Sequence, residues 1–190
     1  AKLHLALKGA PDFRGADLAA RLVIAPSARA VEAAFNPGKY GEVPANPVME
    51  VMIPSAHGPG FAPQGAHVLS AIVQFAPHAP VDLPAARAAM LEASLAVLEN
   101  HSPGLRALVA HADLLMPQDI EARHWLAGGN WHQGELSVEQ MLFLRPLPSL
   151  ARYGTPLPGL WLAGAGSHPG GGISGAAGWN AAERILSERT

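Results

Sequence analysis

The stretch "GLWLAGAGSHPGGGISGAAGWNAAERIL", Gly159 to Leu186, reads as an apolar strand over Leu160 to Ala163, a glycine-rich turn and a helix. Seven of the fifteen residues from Gly164 to Gly178 are glycine. Because glycine loses much conformational freedom on folding, this density favours a turn that a ligand approaches closely over a tight structural turn. A helix that begins near Ile173 would direct unpaired N–H groups at an anion or an electron-rich carbonyl.

The glycines of this turn also match the spacing of a dinucleotide-binding fingerprint. Gly170, Gly172 and Gly175 fit G-x-G-x-x-G between a predicted strand and a predicted helix. A first nucleotide-binding unit needs a second strand that ends in an acidic residue about 20 residues later. Because the sequence stops at Thr190, we expect the turn to close a nucleotide site whose opening half lies elsewhere.

A nucleophile elbow is an alternative reading of the same turn. Ser174 lies in "GISGA", one residue short of G-x-S-x-G. The serine of an elbow follows its strand directly, whereas Ser174 comes about ten residues after the predicted strand. Ser167 and His168 are adjacent, and side chains of neighbouring turn residues diverge. Hydrolysis is therefore disfavoured.

Composition limits the class of protein. The 190 residues are 49% hydrophobic and 15% charged, enough for one globular domain or one domain and a fraction. A net charge of -2 supplies no basic surface, so nucleic acid is not an expected partner. The absence of cysteine excludes disulfides, thiolate metal sites and cysteine nucleophiles. No apolar run reaches the roughly 18 residues that a membrane span needs, and a cytoplasmic location is the default.

The rest of the chain alternates between predicted strands and helices. In "AKLHLALKG", Leu3, Leu5 and Leu7 share one face of a strand that starts at the second residue. This start suggests a chain cut from a longer protein, with a processed terminus as the alternative. The other predicted elements are strands over Pro47–Pro54, Ala66–Pro77 and Leu105–Met116 and helices over Asp17–Val23, Ala28–Phe35, from Pro84 to about His101, and from Pro117. Their order predicts an α+β fold with an antiparallel or mixed sheet and helices on one face.

A second module is predicted after about Leu115, where the composition changes. Ser137 and Gln140 have the spacing of a capping box before an apolar helical turn. "MEVMI" and "MLFLRP" are interpreted as core segments. Arg145 could pair with a phosphate, although an exposed or ion-paired arginine is commoner.

The nine histidines give no sign of a metal site. None of them forms a pair at three- or four-residue helical spacing, and H-E-x-x-H is absent. His132 and His168 lie in glycine-rich loops, where a side chain can face a ligand. A structural role is equally compatible with the sequence at both positions.

Two long segments resemble a known family. "GGNWHQGELSVEQMLFLRP" followed by "YGTPLPGLWLAGAGSHPGGGISGAAGWNAAERIL" resembles the carboxyl-terminal part of phytoene dehydrogenase-related FAD-dependent oxidoreductases, and "IPSAHGPGFAPQGAHVLSAIVQFAPH" resembles their central segment. The resemblance runs from about Leu3 to Leu186. It departs from the family at Trp179, where an arginine often stands, and in lacking the amino-terminal G-x-G-x-x-G unit.

The resemblance implies two domains along the chain. Residues 1–115 would be a substrate domain whose largely antiparallel sheet covers the flavin, and residues 116–190 would be the closing strand, turn and helix of a Rossmann-type FAD domain. The implied FAD-binding residues are Gly164, Ala165, Gly166, Ser167, His168, Pro169, Gly170, Gly171, Gly172, Ile173, Ser174, Gly175 and Ala176. No catalytic residue and no metal ligand is identified.

The same resemblance implies a reaction class and a set of partners. The reaction would be hydride transfer between a lipophilic small molecule and the flavin, and this piece alone would be inactive. The expected partners are that substrate, the missing amino-terminal FAD domain, a second copy of the chain and the surface of a membrane. The alternative is a non-enzymatic binding or assembly domain that keeps part of the fold.

Overall fold

The computed structural model describes residues 1–134, 137–141 and 144–188. The chain forms two compact units, Ala1–Ile120 and Glu121–Thr190. The sequence predicts a domain boundary after about residue 115, close to this division. The substrate-domain role of residues 1–115 and the FAD-domain role of residues 116–190 stay predictions.

The first unit contains a five-stranded sheet in which every neighbouring pair is antiparallel. The order across the sheet is β2-β3-β4-β1-β5, so the first strand of the chain is central. Strand bounds are β1 Lys2–Leu7, β2 Leu22–Ile24, β3 Val48–Met52, β4 His67–Gln74 and β5 Val109–Leu115. The predicted α+β class with an antiparallel sheet is confirmed.

One face of this sheet forms the core. Leu3, Leu5 and Leu7 are almost fully buried, as their two-residue period predicted, and Leu5 is paired with Leu69 of β4. The long helix α2 packs against this face through residues that include Met90 and Leu98. The described helices are α1 Ala28–Phe35, α2 Leu83–His101, α3 Leu105–Leu108, α4 Pro117–His124 and α5 Ala176–Ser187.

Local signals account for several of the correctly predicted elements. Ser27 caps α1, since its side chain accepts a hydrogen bond from the N–H of Ala30. Asp82 caps α2 in the same way through Ala85, with Pro84 in the first turn. The predicted core segment "MEVMI" is also confirmed, because Met49, Val51 and Ile53 are buried.

The predicted helix over Asp17–Val23 is wrong. Asp17 accepts the N–H of Ala19 at 2.9 Å and so closes a turn instead of capping a helix. Leu22–Ile24 then pairs with β3 as the short edge strand β2. Two of these three residues are β-branched, which favours a strand once a partner is available.

The predicted strand over Leu105–Met116 is correct only in its second part, since residues 105–108 form the short helix α3. The Glu99 carboxylate accepts the N–H groups of Gly104 and Arg106 and holds this turn. Arg106 also pairs with Glu92 at 2.6 Å. These contacts bend the chain before the strand can begin.

A partly buried ion pair joins α2 to the start of α4. Both terminal nitrogens of the Arg87 guanidinium donate to the Asp119 carboxylate, at 2.5 and 2.9 Å. Arg87 also donates to the carbonyl of Leu114 at 2.8 Å, and Asp119 accepts the N–H of Met116 at 2.7 Å. The hydrogen bond to Asp119 raises the pKa of Arg87. This bidentate geometry fixes where the chain leaves the sheet.

We expect Arg87→Met to lower the free energy of unfolding of the first unit by about 1–3 kcal/mol, because it removes several charge-assisted hydrogen bonds at a partly buried site. All four tryptophans lie beyond residue 120. Urea unfolding should therefore be followed by circular dichroism, with tryptophan fluorescence as the record of the second unit. Arg21→Met, at the exposed Arg21–Glu50 pair, is the control and should cost less than about 0.5 kcal/mol. Equal effects of the two variants would contradict this account.

Candidate functional site

The glycine loop, defined here as residues 164–175, lies in the second unit between a single β-bridge and helix α5. The strand predicted over Leu160–Ala163 does not form, since only Trp161 pairs, with Gly154. The carbonyl of Leu160 is occupied by the Thr155 hydroxyl, which donates to it at 3.0 Å. This side-chain contact therefore replaces the backbone hydrogen bonds to a neighbouring strand that Leu160 would make in a sheet.

Helix α5 begins at Ala176, three residues after the predicted start at Ile173. Gly175 has a left-handed backbone (φ 68°), which helical residues do not adopt, and the Ser174 hydroxyl accepts the N–H of Ala176 at 3.3 Å. Ile173 is fully exposed. Gly172, Ile173 and Ser174 therefore belong to the loop and not to a helix N-terminus.

The loop presents a run of backbone N–H groups. Its first part forms two turns. The N–H of Ser167 donates to the carbonyl of Gly164 at 2.9 Å, and the N–H of Gly170 donates to the carbonyl of Ser167 at 2.7 Å. The four consecutive N–H groups of residues 171–174 have no acceptor within the described residues. All four residues are exposed. Such a run can bind an anion or the carbonyl edge of a ring.

The glycines of the loop serve two different purposes. Gly172 has φ 149°, a conformation that other residues rarely adopt, and a Cβ there would meet little besides Ser174. At Gly166, by contrast, a Cβ would lie 3.2 Å from Oε1 of Gln133. The absence of a side chain at Gly166 thus makes room for the Gln133 side chain of the same unit. The glycine density had predicted that a ligand would approach the glycines instead.

Arg145 holds the loop from beneath. Arg145 is only 2% exposed, and its guanidinium donates to the carbonyl oxygens of Ala165 at 3.0 Å, Gln140 at 3.5 Å and His132. The expectation of an exposed or ion-paired arginine is wrong within the described residues, where Arg145 has no carboxylate partner. Its hydrogen-bond acceptors are backbone carbonyls of three separate segments.

Tyr153 holds the loop from the side of α5. Its hydroxyl donates to the carbonyl of His168 at 3.0 Å and accepts from the Asn180 amide at 2.9 Å. The Tyr153 side chain is buried, and its own carbonyl accepts the N–H of Leu162 at 2.8 Å. The two hydrogen bonds of the hydroxyl fix the distance between the loop and the helix.

A cavity of about 620 Å³ lies beside Gln133, the residue that contacts Gly166. Trp125, whose side chain is 92% exposed, stands at this cavity, and both Trp125 and Gln133 have left-handed backbones. Such conformations are costly outside glycine and cluster at functional sites. The cavity is lined by Trp125, Leu126, Ala127, Asn130, Gln133 and Gly134.

The two histidines singled out from the sequence have different places. His132 is exposed beside Gly171, and its Nε2 accepts the indole N–H of Trp131 at 3.1 Å. His168 is half-buried and contributes its carbonyl to the Tyr153 contact. Within the described residues no group of three or more histidine, aspartate or glutamate side chains could hold a metal ion.

The loop serines form no catalytic triad with the residues that the structure describes. Ser174 is exposed and contacts the backbone of Ala176, and Ser167 is buried. A close serine–histidine pair occurs elsewhere, where Ser55 Oγ lies 3.0 Å from Nδ1 of His67. That hydroxyl also accepts the N–H of Val68 and so anchors a loop to β4. No local sequence pattern identifies this pair, because its members are twelve residues apart.

The capping box predicted at Ser137 and Gln140 is wrong. Residues 138–140 form a single 3₁₀ turn without a side-chain cap, and the Gln140 amide donates to the carbonyl of Pro146 at 3.4 Å. The apolar helical turn and the core role expected for "MLFLRP" include Leu142 and Phe143, which lie outside the described residues. No described helix is long and apolar enough to cross a membrane.

Comparison with known proteins gives three informative similarities. A protein of Rattus norvegicus named pyridine nucleotide-disulfide oxidoreductase domain-containing protein 2 is 37% identical over 159 residues, which is 82% of this chain and 27% of the rat protein. The protein of the same name from Mus musculus is 36% identical over 159 residues. A phytoene desaturase (neurosporene-forming) of Cereibacter sphaeroides is 29% identical over 128 residues, 66% of this chain and 24% of its own length.

The chain belongs to the family of the rat and mouse proteins. The resemblance expected from the sequence is confirmed at this level, although no protein-family model matches the chain. The chain spans about a quarter of the length of the rat and mouse relatives, of which it covers 27%.

We expect Tyr153→Phe to lower the free energy of unfolding of the second unit by about 1–2 kcal/mol, since the buried Tyr153 loses its hydrogen bonds to the His168 carbonyl and from the Asn180 amide. Urea unfolding followed by tryptophan fluorescence measures it, because the four tryptophans report this unit. Tyr40→Phe is the control, since Tyr40 is exposed in the first unit. An unchanged urea midpoint for Tyr153→Phe would show that the hydroxyl does not hold the loop.

Proposed function

We propose that this chain is the carboxyl-terminal part of an FAD-dependent oxidoreductase and that its glycine loop contacts the cofactor. The observation that carries the proposal is the run of four exposed N–H groups at residues 171–174, which have no acceptor among the described residues. The similarity to relatives named as an oxidoreductase domain protein and a desaturase supports the same class.

The residues of the loop fit such a ligand. A Cβ placed at Gly170 would meet no atom within 4 Å, so this side of the turn is open. N–H groups without acceptors suit phosphate oxygens and the carbonyl groups of a flavin ring. The buried guanidinium of Arg145 adds positive charge behind the loop. The donor set is therefore one that an anionic, carbonyl-bearing cofactor can satisfy.

The chemistry that bound FAD would supply is hydride transfer with a lipophilic substrate. The residues of this chain would orient the flavin and polarise its ring. The N–H groups of Gly172, Ile173 and Ser174 would bind the electron-rich edge of the ring, and the turn at Gly164–Gly166 would lie near the pyrophosphate and ribityl chain. No general acid or base is assigned to the chain.

The first unit fits the role of a substrate domain. Because α2 packs on one face of the sheet, the second face is the one that could face a substrate. His4 and Ser70 are half-buried cross-strand neighbours on that face, and Asp113 follows on β5. Burial lowers the pKa of His4 and Lys2 lowers it further, against an opposing effect of Asp113. The imidazole is therefore neutral at pH 7, which suits contact with an apolar molecule.

Exposed apolar side chains of the second unit support association with a partner. Ile173 is fully exposed, and Trp125 and Trp179 are 92% and 71% exposed. Contiguous apolar surface on soluble proteins tends to mark contacts. The proposed partner is the amino-terminal FAD domain, and a second copy of this chain could cover the same side chains in a homodimer. Contact with a membrane surface and a cytoplasmic location are part of the same proposal.

A non-enzymatic binding or assembly domain is the second candidate, and the same exposed side chains would serve it. Cofactor content separates the two. The longer flavoprotein should carry FAD, whereas this chain alone should not retain it, since the remaining contacts to the nucleotide come from the other part.

We expect Gly172→Val in the longer protein to reduce the FAD bound per polypeptide several-fold, because a branched side chain disfavours the φ of 149° and crowds the open side of the loop. Flavin absorbance relative to protein concentration measures it. Gly60→Val is the matched control, since Gly60 also has a positive φ (103°) but lies in the first unit. Full flavin occupancy in Gly172→Val would show that this glycine does not border the cofactor.

A further inference from the structure

Arg145 is a buried cation that binds three segments of the second unit at once. Its three side-chain nitrogens donate to the carbonyl oxygens of His132, Gln140 and Ala165. The His132 carbonyl directly precedes Gln133, which lines the cavity. The Gln140 carbonyl ends the 3₁₀ turn at residues 138–140, and the Ala165 carbonyl lies in the first part of the glycine loop. One side chain therefore sets where the loop stands relative to its neighbours.

The contact with Ala165 also fixes the direction of the next N–H. In a trans peptide the C=O and the following N–H point in opposite directions. Because the Ala165 carbonyl is directed at the guanidinium, the Gly166 N–H is directed away from it. That N–H has no acceptor within the described residues. Arg145 thus fixes the direction of one donor of the loop.

The charge of the guanidinium has a further consequence. Arginine stays protonated in proteins. Carbonyl oxygens satisfy its N–H groups but carry no net charge, and no carboxylate of the described residues pairs with it. Buried charges are usually neutralised by a partner, and a ligand can supply the missing negative charge. A positive charge of this kind favours an anionic ligand over a neutral one of the same shape.

We propose that Arg145 is the positioning residue of the glycine loop: it fixes the loop through the Ala165 carbonyl and gives the loop its preference for an anionic ligand. The ligand part of this inference rests on the proposed function, whereas the positioning part does not.

Three variants of this chain separate the possibilities. Arg145→Lys keeps the charge and loses the planar fork, and Arg145→Gln removes the charge and keeps an amide donor. Arg152→Gln removes an exposed arginine from the same unit and is the control for a change in net charge. Circular dichroism and tryptophan fluorescence first establish that each variant is folded.

The positioning part is tested in the ligand-free chain by amide hydrogen exchange, read residue by residue by NMR. In Arg145→Gln we expect the hydrogen-bonded loop amides of Ser167 and Gly170 to exchange about tenfold faster or more, with those of residues 179–186 in α5 unchanged. Arg152→Gln should resemble the wild type. Unchanged exchange of the loop amides in a folded Arg145→Gln, or equal acceleration throughout the unit, would overturn the inference.

The charge part is tested with two probes that share a ring. FMN carries a phosphate and riboflavin does not, so titration of each, followed by the amide shifts of residues 170–172, compares an anionic with a neutral ligand. We expect Arg145→Gln to weaken FMN binding about tenfold and riboflavin binding less than about threefold. Arg145→Lys should stay within about threefold of the wild type for both probes.

The outcomes distinguish this inference from the proposed function. Equal weakening of FMN and riboflavin would reduce Arg145 to a structural residue and contradict the charge preference. If neither probe shifts the loop amides of the wild type at millimolar concentration, the charge preference fails, whereas the FAD content of the longer protein decides the proposed function. Faster exchange of the loop in Arg145→Gln would then still support its positioning role.

Discussion

The second unit depends on hydrogen bonds from buried polar side chains to backbone carbonyls, above all those of Arg145. Its only described helix beyond α4 has twelve residues, and few of its apolar side chains are buried. The first unit, by contrast, has a continuous core between the sheet and α2. In the second unit, Arg145 and Tyr153 hold the glycine loop through hydrogen bonds to the carbonyls of Ala165 and His168. Removal of either side chain removes a hydrogen bond from a half-buried part of the loop.

This construction suits a surface that meets another part of a protein. The loop has exposed N–H groups without acceptors among the described residues, and Trp125 and Ile173 expose apolar side chains in the same unit. On the proposed function, a cofactor would bind the N–H groups and a partner domain would cover the apolar side chains. The chain spans about a quarter of the length of its relatives, 27% for the rat protein.

The sequence predicted elements whose signals are local. The alternation of Leu3, Leu5 and Leu7 identified the central strand, and Ser27 identified the start of α1. Local signals failed where side chains had a choice of backbone partners: Asp17 closes a turn, and α5 starts after Gly175 instead of near Ile173. Several glycines in succession offer no residue type that fixes a helix start.

The candidate site shows the same limit. Glycine density identified the loop, because Gly170, Gly172 and Gly175 have positive φ angles that other residues rarely adopt. The roles of Arg145 and Gln133 could not be predicted, since Arg145 binds the Ala165 carbonyl 20 residues away and Gln133 contacts Gly166, which is also distant along the chain. Composition also gave no warning that Gly166 accommodates a side chain of the same unit. Long-range packing decides such contacts, and a single sequence does not display it.

Binding of FAD by the glycine loop can be measured by hydrogen–deuterium exchange of the longer flavoprotein, with and without FAD, read by mass spectrometry. We expect peptides covering residues 164–176 to become strongly protected when FAD is present, because the N–H groups of residues 171–174 then gain acceptors. Protection that appears elsewhere in the protein while these peptides exchange at the same rate would show that the loop does not bind the cofactor.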